Sequence, residues 1–274
     1  MIPTAGKTLL QDAQKTSVFF IAWLVLCILM FSQNFIDHIH TLNLISAGIS
    51  CFLLIYFLRR NLEMNFIFMI LLLFNSAYVA LRQYLFAGFI ENQFNQSITQ
   101  IMDIVANRYS ESSEQYMIFS ELMDVSTHFY LSYSPGMWIA LMMLCILVGY
   151  FITFRQSEEY VPISQYQVHL YVCYVAVLAL GICILPGFRL IGINLLLAIM
   201  PLFLIQGMAV AHHKMVSWFS HSLLLKIIAI ICIIINPYIV LFLSIIGLFD
   251  NWLDFRKLYN VESTDSQENT GGEE

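Results

Sequence analysis

Charged residues are scarce in this chain, and their scarcity excludes most classes of soluble protein. Only 11% of the 274 residues are charged, whereas 59% are hydrophobic and the mean hydropathy is +0.77. Water-soluble domains carry about 25% charged residues, so this chain requires lipid as its solvent. The 12 basic residues against 18 acidic ones also argue against a nucleic-acid partner, which would need a basic surface.

Signatures of catalysis and of metal binding are missing as well. The sequence contains no Gly-x-Ser-x-Gly, no Walker loop and no Gly-x-Gly-x-x-Gly. Its six cysteines are dispersed through apolar runs without a Cys-x-x-Cys pair. The histidines follow no metal-binding spacing, and adjacent His212 and His213 would point about 100° apart on a helix. We therefore expect no enzyme activity, no metal site and no cofactor.

Long apolar runs indicate membrane-spanning helices. They are Val18 to Phe31, Leu44 to Leu58, Phe66 to Leu81, Met137 to Phe154, Leu170 to Leu185, Leu190 to Ala211 and Leu223 to Phe249. Backbone polar groups cannot stay unpaired in lipid, and the runs lack the alternating pattern of a barrel strand, so each run is predicted to be helical. The expected fold class is all-α, a polytopic transmembrane helical bundle.

The last run contains Asn236-Pro237 near its middle, and this proline permits either a kink or a hairpin turn. The basic residues favour the hairpin. With a cytoplasmic amino terminus, a hairpin leaves only Arg82, Arg108 and Arg189 outside and keeps the other Lys and Arg residues inside. We therefore predict eight spans with both termini cytoplasmic, and seven spans remain the alternative.

Charge and hydropathy divide the chain into five parts. Residues 1–16 form a cytoplasmic amino terminus, 17–90 the first three transmembrane helices, 91–134 a polar segment, 135–257 transmembrane helices four to eight, and 258–274 an acidic tail. The tail is too polar to bury a core, so we expect it to be disordered.

The polar segment 91–134 is predicted to form an amphipathic helical hairpin outside the membrane, because apolar residues recur in it at steps of three and four. Ser110 to Ser113 would form its turn, and Ser134-Pro135-Gly136 would end its second helix before the fourth span. The hairpin either lies flat on the membrane or covers a cavity.

Polar side chains inside the spans are the first candidates for function, because their desolvation is costly. Gln206, Asn194 and Asn75 are the candidate ligand-binding residues, and interhelical hydrogen bonds are the alternative role for their amides. Gly207 and Ala211 lie one turn apart beside Gln206 and are predicted to let a neighbouring helix approach closely.

The segment Gly247 to Lys257 follows the last span. On a helix, Asp250 and Asp254 would share a face, Asp254 could pair with Lys257, and Trp252 would suit the headgroup layer. A cytoplasmic rim is therefore predicted from His212, His213, Asp250, Trp252, Asp254 and Arg256.

Two stretches resemble sequence patterns of a known family. They are Pro201 to Val210, with Gln206-Gly207 at their centre, and Gly247 to Arg256, which reads Gly-Leu-Phe-Asp-Asn-Trp-Leu-Asp-Phe-Arg. Both are similar to signatures of the YybS-like family of bacterial integral membrane proteins, a domain of unknown function. The resemblance implies a multi-pass protein of the bacterial inner membrane.

In overall organisation that family is similar to the S components of energy-coupling-factor transporters and to the rod-shape protein MreD. Many S components dock on their membrane partner through an Ala-x-x-x-Ala in the first span. Here Ala22 is followed four residues later by Leu26, so the chain departs from that docking motif.

Two functions fit these observations. The first is a small-molecule binding or transport subunit, in which spans five, six and eight enclose a pocket beneath the hairpin. The alternative is a non-catalytic scaffold that recruits a membrane protein partner at its cytoplasmic rim. Both place the chain in the lipid bilayer, and neither involves nucleic acid.

Overall fold

The computed structural model describes residues 13–32, 38–60, 62–110, 112–153, 162–214 and 236–256. Within these ranges the chain forms seven α-helices, one 3-10 helix and no strand, so the prediction of an all-α fold is confirmed. The elements are α1 (Ala13–Ser32), α2 (His38–Arg59), α3 (Met64–Arg108), α4 (Glu114–Thr153), the 3-10 helix Ile163–Gln165, α5 (Leu170–Ile184), α6 (Arg189–Lys214) and α7 (Pro237–Leu253).

Four of these helices are long and apolar enough to cross a membrane, namely α3, α4, α6 and the part of α2 from Thr41 to Arg59. Shorter apolar helices lie within α1, α5 and α7. Large apolar side chains such as Phe19, Leu73 and Phe242 are exposed on the outside of the bundle, which suits contact with lipid. The chain is therefore a helical membrane protein.

The described helices do not show eight spans, because only four of them are long and apolar enough to cross a membrane. The predicted seventh span begins at Leu223, which lies outside the described residues. The last apolar run is also divided at Pro237. Asn236 has an extended backbone, its Oδ1 accepts a hydrogen bond from the Tyr238 amide at 2.9 Å, and α7 begins at Pro237. Proline suits this first position, where a helix amide has no partner.

Helices α3 and α4 are much longer than a membrane requires. With 45 and 40 residues, they are about 67 and 60 Å long, whereas the hydrocarbon layer is about 30 Å thick. The chain turns between Arg108 and Glu114, where the sequence places the hairpin turn. The polar segment is therefore continuous with the two spans that flank it. On α3, a kink at Phe86 lies shortly before the polar segment begins.

The predicted break at Ser134-Pro135-Gly136 is wrong, because α4 continues through Pro135. A proline disturbs the hydrogen bonds of the preceding turn, and here Asn194 of α6 supplies a partner for one backbone group on each side of the proline. Its Nδ2 donates to the Ser132 carbonyl at 2.9 Å, and its Oδ1 accepts from the Gly136 amide at 2.7 Å. Prolines are tolerated in membrane helices when a neighbouring helix satisfies the backbone in this way.

The core of the bundle lies where α2, α3, α4, α5 and α6 meet residues 162–169, which we call the connector before α5. Phe68, Met143, Tyr150 and Tyr166 are all buried there. The Phe68 ring makes edge contacts with Tyr150 and Tyr166, at centroid distances of 5.9 and 6.0 Å. Aromatic rings prefer such edge-to-face arrangements, so this cluster fixes the connector to the helices.

Helix α6 is the central helix and contacts α4, α5, α7 and the 3-10 helix. Helix α7 runs in the same direction as α6. Val240, near the start of α7, lines a groove with Leu197 from the first half of α6, whereas Asp250, near the end of α7, bonds to Gln206 in the second half of α6.

Glycines permit α6 and α7 to touch backbone to backbone. A Cβ on Gly207 would lie 1.9 Å from the Leu243 carbonyl oxygen, and a Cβ on Gly247 would lie 2.0 Å from the Phe203 carbonyl oxygen. Both distances are far below a van der Waals contact, so neither position accepts a side chain without a shift of the helices. The predicted pocket between spans five, six and eight stays a prediction.

Gly247→Ala is expected to destabilise the protein by about 1–3 kcal/mol, because the added methyl group must push α7 away from α6. The matched control is Gly149→Ala in α4, where an added Cβ meets nothing within 4 Å and alanine improves helix propensity by up to about 1 kcal/mol. The free energy of unfolding in SDS titrations checks both variants. Equal losses in the two would contradict the close crossing.

Candidate functional site

The Gln206 side chain joins three parts of the chain at the end of the bundle where α4 and α7 end. It is fully buried, with 0% of its surface exposed. Its Nε2 donates to Asp250 Oδ2 of α7 at 2.9 Å, and its Oε1 accepts from the Val168 amide at 2.9 Å and from Asn251 Nδ2 at 3.3 Å. One amide thus ties α6 to α7 and to the connector before α5.

Asp250 and Arg256 form a buried ion pair next to Gln206. Their exposures are 2% and 3%, and Arg256 Nη2 and Nε lie 2.7 and 3.0 Å from Asp250 Oδ2. Arg256 Nη1 also donates to the Ser164 carbonyl at 2.8 Å, and Asp250 Oδ1 accepts from the Phe255 amide at 3.1 Å. A buried charge pair is stable only when such additional hydrogen bonds satisfy its remaining groups.

Asp254 creates the turn that returns Arg256 to Asp250. It caps α7 in the left-handed conformation with φ 41°, and its amide donates to the Asp250 carbonyl at 3.0 Å. The expectation that Asp250 and Asp254 share a helix face is therefore wrong, because the helix ends at Leu253 and Asp250 pairs with Arg256. The expected pair of Asp254 with Lys257 lies outside the described residues.

The connector before α5 contributes backbone groups, and no titrating side chain, to the hydrogen bonds of Gln206 and Arg256. Ser164 offers its carbonyl and Val168 its amide. Tyr166, between them, is buried, and this burial raises the pKa of its phenol, so the ring remains neutral.

Asn194 and Asn75, the other candidate ligand residues, also bond within the protein. Asn194 bridges Ser132 and Gly136 as described above, and its Nδ2 additionally donates to the Leu190 carbonyl at 2.8 Å. Asn75 Nδ2 donates to the Leu71 carbonyl at 2.8 Å and to Ser50 Oγ of α2 at 3.1 Å. A ligand-binding role for Gln206, Asn194 and Asn75 stays a prediction.

The residues of the predicted rim divide into two groups. Asp250 and Arg256 are not exposed at a surface, because their ion pair is buried. His212, His213 and Trp252 are exposed and Asp254 is partly exposed. Ala211 is half-buried at the end of α6. The use of this rim by a partner stays a prediction.

Sequence reasoning missed Arg82, which is predicted to lie outside the membrane yet is buried, with 4% exposure. Its Nη1 donates to Asn43 Oδ1 of α2 at 2.9 Å, and its Cζ lies 5.2 Å from the Trp138 ring centroid of α4. Its Nε is buried without a hydrogen-bond partner in the described part of the chain. The sequence signal was an arginine at the end of an apolar run with no acidic residue nearby.

Arg82 lines a cavity of about 210 Å³ between α3 and α4, which we call the Arg82 cavity. Its other lining residues include Gln93, Phe94, Ser97, Tyr130 and Trp138. The Phe94 and Tyr130 rings, which both line it, stack directly on each other with their centroids 4.2 Å apart. The cavity thus lies where the polar hairpin joins the membrane-spanning bundle.

An apolar groove of about 740 Å³ adjoins the Arg82 cavity. Tyr130 and Trp138 line both spaces. The groove continues between α4 and α6 along Leu141, Leu144, Leu197, Met200 and Leu204. A site with one buried cation and a long apolar extension is chemically suited to an amphiphile.

Asp250→Asn is expected to destabilise the protein by about 3 kcal/mol, because it leaves the buried Arg256 charge without a counter-charge. The double variant Asp250→Asn, Arg256→Gln should recover part of that loss. Asp124→Asn, the same change at an exposed position of α4, is the control. SDS unfolding of the parent, the single variants Asp250→Asn and Arg256→Gln, and the double variant measures the coupling, and additive losses would show that the pair contributes nothing as a pair.

The described residues contain no group of three or more His, Cys, Asp or Glu side chains placed to hold a metal ion. No curated protein and no solved structure matches the chain. A family described as "Predicted membrane protein (DUF2232)" matches residues 2–251. This match covers nearly the whole chain, which accordingly belongs to the DUF2232 family of membrane proteins.

Proposed function

We propose that the protein is a small-molecule binding subunit of the membrane, without enzyme activity of its own, whose ligand occupies the Arg82 cavity. The observation that carries this proposal is the buried guanidinium of Arg82, which lacks a counter-charge and whose Nε lacks a hydrogen-bond partner among the described residues. Arg82 is 4% exposed, and its side chain lies at the wall of a cavity. A charge inside a membrane protein is costly unless it is paired, and such residues commonly mark functional sites.

The position of the hairpin supports a lid rather than a flat surface helix pair. Helices α3 and α4 extend beyond the hydrocarbon layer as continuous helices, and Gln93, Ser97 and Tyr130, which line the cavity, belong to this extended part. Aromatic stacking of Phe94 on Tyr130 holds the two helices together there. A ligand would therefore enter between the bases of the two hairpin helices.

Transport by analogy with S components rests on the YybS-like motifs alone. The Gln206-Gly207 and Asp250 to Arg256 stretches that carry this resemblance build the closed end of the bundle, away from the cavity. They would hold the scaffold on which a binding site is built. Transport itself would need a partner, so we propose binding as the function of this chain.

We further propose the bacterial inner membrane, cytoplasmic termini and eight spans. The parallel course of α6 and α7 supports this count, because a connection between parallel membrane helices must return the chain to its starting side. The hairpin and the Arg82 cavity then face the periplasm, and the Gln206–Asp250–Arg256 network faces the cytoplasm.

The scaffold function is the second candidate, and exposed Trp252 and His213 favour it. Trp252 is 46% exposed and stacks edge-on with Phe249 at 6.2 Å. A tryptophan at the headgroup level explains this exposure equally well without a partner. Asp250 and Arg256 are buried, so these two residues of the predicted rim are not available for contact with a partner protein.

Ser97→Trp should abolish ligand binding, because the indole would fill the mouth of the Arg82 cavity. Thr99→Trp is the matched control. Both hydroxyls are exposed on α3 and donate to the carbonyl four residues earlier at 3.0 Å, but Thr99 does not line the cavity. Native mass spectrometry of the purified protein, together with thermal shifts across a metabolite and lipid library, measures binding. Ligand that persists in Ser97→Trp would refute this site.

The proposed orientation predicts opposite labelling of two positions in a chain whose native cysteines are replaced by alanine. A cysteine at Tyr238, which is 79% exposed, should react with an impermeant maleimide in intact cells. A cysteine at Trp252 should react only after the cells are opened. Labelling of position 252 from outside would establish the seven-span alternative.

A further inference from the structure

We infer that the ligand of the Arg82 cavity is a membrane lipid with an anionic headgroup, whose acyl chain lies in the apolar groove between α4 and α6. This inference rests on the proposed function and names its ligand class. It combines one buried charge, one apolar groove that adjoins it, and the depth of both in the membrane.

The charge requires an anionic group. Asn43 supplies an amide oxygen to Arg82 Nη1 at 2.9 Å, and Tyr78 OH donates to that same oxygen at 3.0 Å. Both partners are neutral, and Arg82 forms no ion pair with any residue in the described ranges. A phosphate or carboxylate in the Arg82 cavity is the natural partner for this buried guanidinium, which lines the cavity, since charge-assisted pairs are strong.

The groove requires an apolar chain. Its lining residues Leu141, Leu144, Leu197, Met200 and Leu204 are all apolar. It begins at Tyr130 and Trp138, the two residues that it shares with the Arg82 cavity. A molecule that fills both spaces must therefore have its polar end at Arg82 and an apolar tail that leads away from it.

The depth of the site matches a lipid. Arg82 lies about 27 Å along α3 from Met64, and the hydrocarbon layer is about 30 Å thick. With Met64 at one boundary of this layer, the guanidinium would lie at the opposite headgroup boundary. From Trp138 the groove follows α4 through Leu141 and Leu144 towards the middle of the bilayer. A soluble anion would occupy the Arg82 cavity and leave the groove empty, whereas a lipid fills both.

The test compares dioleoyl phosphatidylglycerol, dioleoyl phosphatidylcholine and glycerol phosphate on the full-length protein in detergent, by native mass spectrometry and thermal shift. We expect phosphatidylglycerol to bind at least tenfold more tightly than the other two probes. Arg82→Gln should lose this preference and Arg82→Lys should retain part of it. Arg189→Gln, which removes an exposed arginine at the start of α6, should bind as the parent does.

A second pair of variants tests the groove without touching the charge. Ala140→Trp places an indole in the groove and should weaken binding of phosphatidylglycerol at least tenfold. Val148→Trp, at an exposed position of the same helix outside the groove, should not. This pair keeps the proposal testable if Arg82→Gln does not fold.

Three results would overturn the lipid inference and leave the proposed function standing. They are equal binding of glycerol phosphate and phosphatidylglycerol, equal binding of phosphatidylcholine and phosphatidylglycerol, and disulfide crosslinking of a cysteine at Leu197 to one within residues 215–235, which would make this chain the occupant of the groove. If no probe and no library compound binds, and Ser97→Trp equals its control, the proposed function fails as well.

Discussion

A polar group buried among apolar helices must find a partner within the protein, because lipid offers none. This constraint decides where α6 packs. Gln206 bonds to α7 and to the connector before α5, and Asn194 bonds to the α4 backbone on either side of Pro135. The hydrogen bonds of these two amides therefore set the position of α6 against three neighbours, and the glycines of the α6–α7 crossing allow the contact to be close.

The two ends of the bundle satisfy this constraint differently. At one end the charges of Asp250 and Arg256 neutralise each other, and backbone groups complete their hydrogen bonds. At the other end Arg82 has only neutral partners and adjoins a cavity. The two ends therefore differ in charge pairing, since Arg256 has a counter-charge and Arg82 has none among the described residues.

The sequence predicted the features that depend on composition and local pattern. Apolar runs predicted the helices, and the polar stretch around Ser110 to Ser113 predicted the hairpin turn. Prediction from the sequence failed where a residue distant in the chain determines the local structure. Pro135 looks like a helix end because Asn194, which bonds to the adjacent Gly136 amide, lies 58 residues beyond Gly136 in the chain. The pairing of Asp250 with Arg256 depends on a left-handed Asp254, which a helical spacing rule cannot reveal. The burial of Arg82 results from α2 and α4 packing around it, which no local pattern reveals.

The contact between Arg256 and Ser164 has a consequence for biosynthesis. These two residues are 92 positions apart, and helices enter the membrane in the order in which the ribosome makes them. The Ser164 carbonyl and the Gln206 amide are therefore in place before Asp250 and Arg256 emerge. During that interval this end of the nascent bundle is incomplete, and a chain that ends before Asp250 leaves Gln206 Nε2 and the Ser164 carbonyl without the partners that they have in the finished bundle.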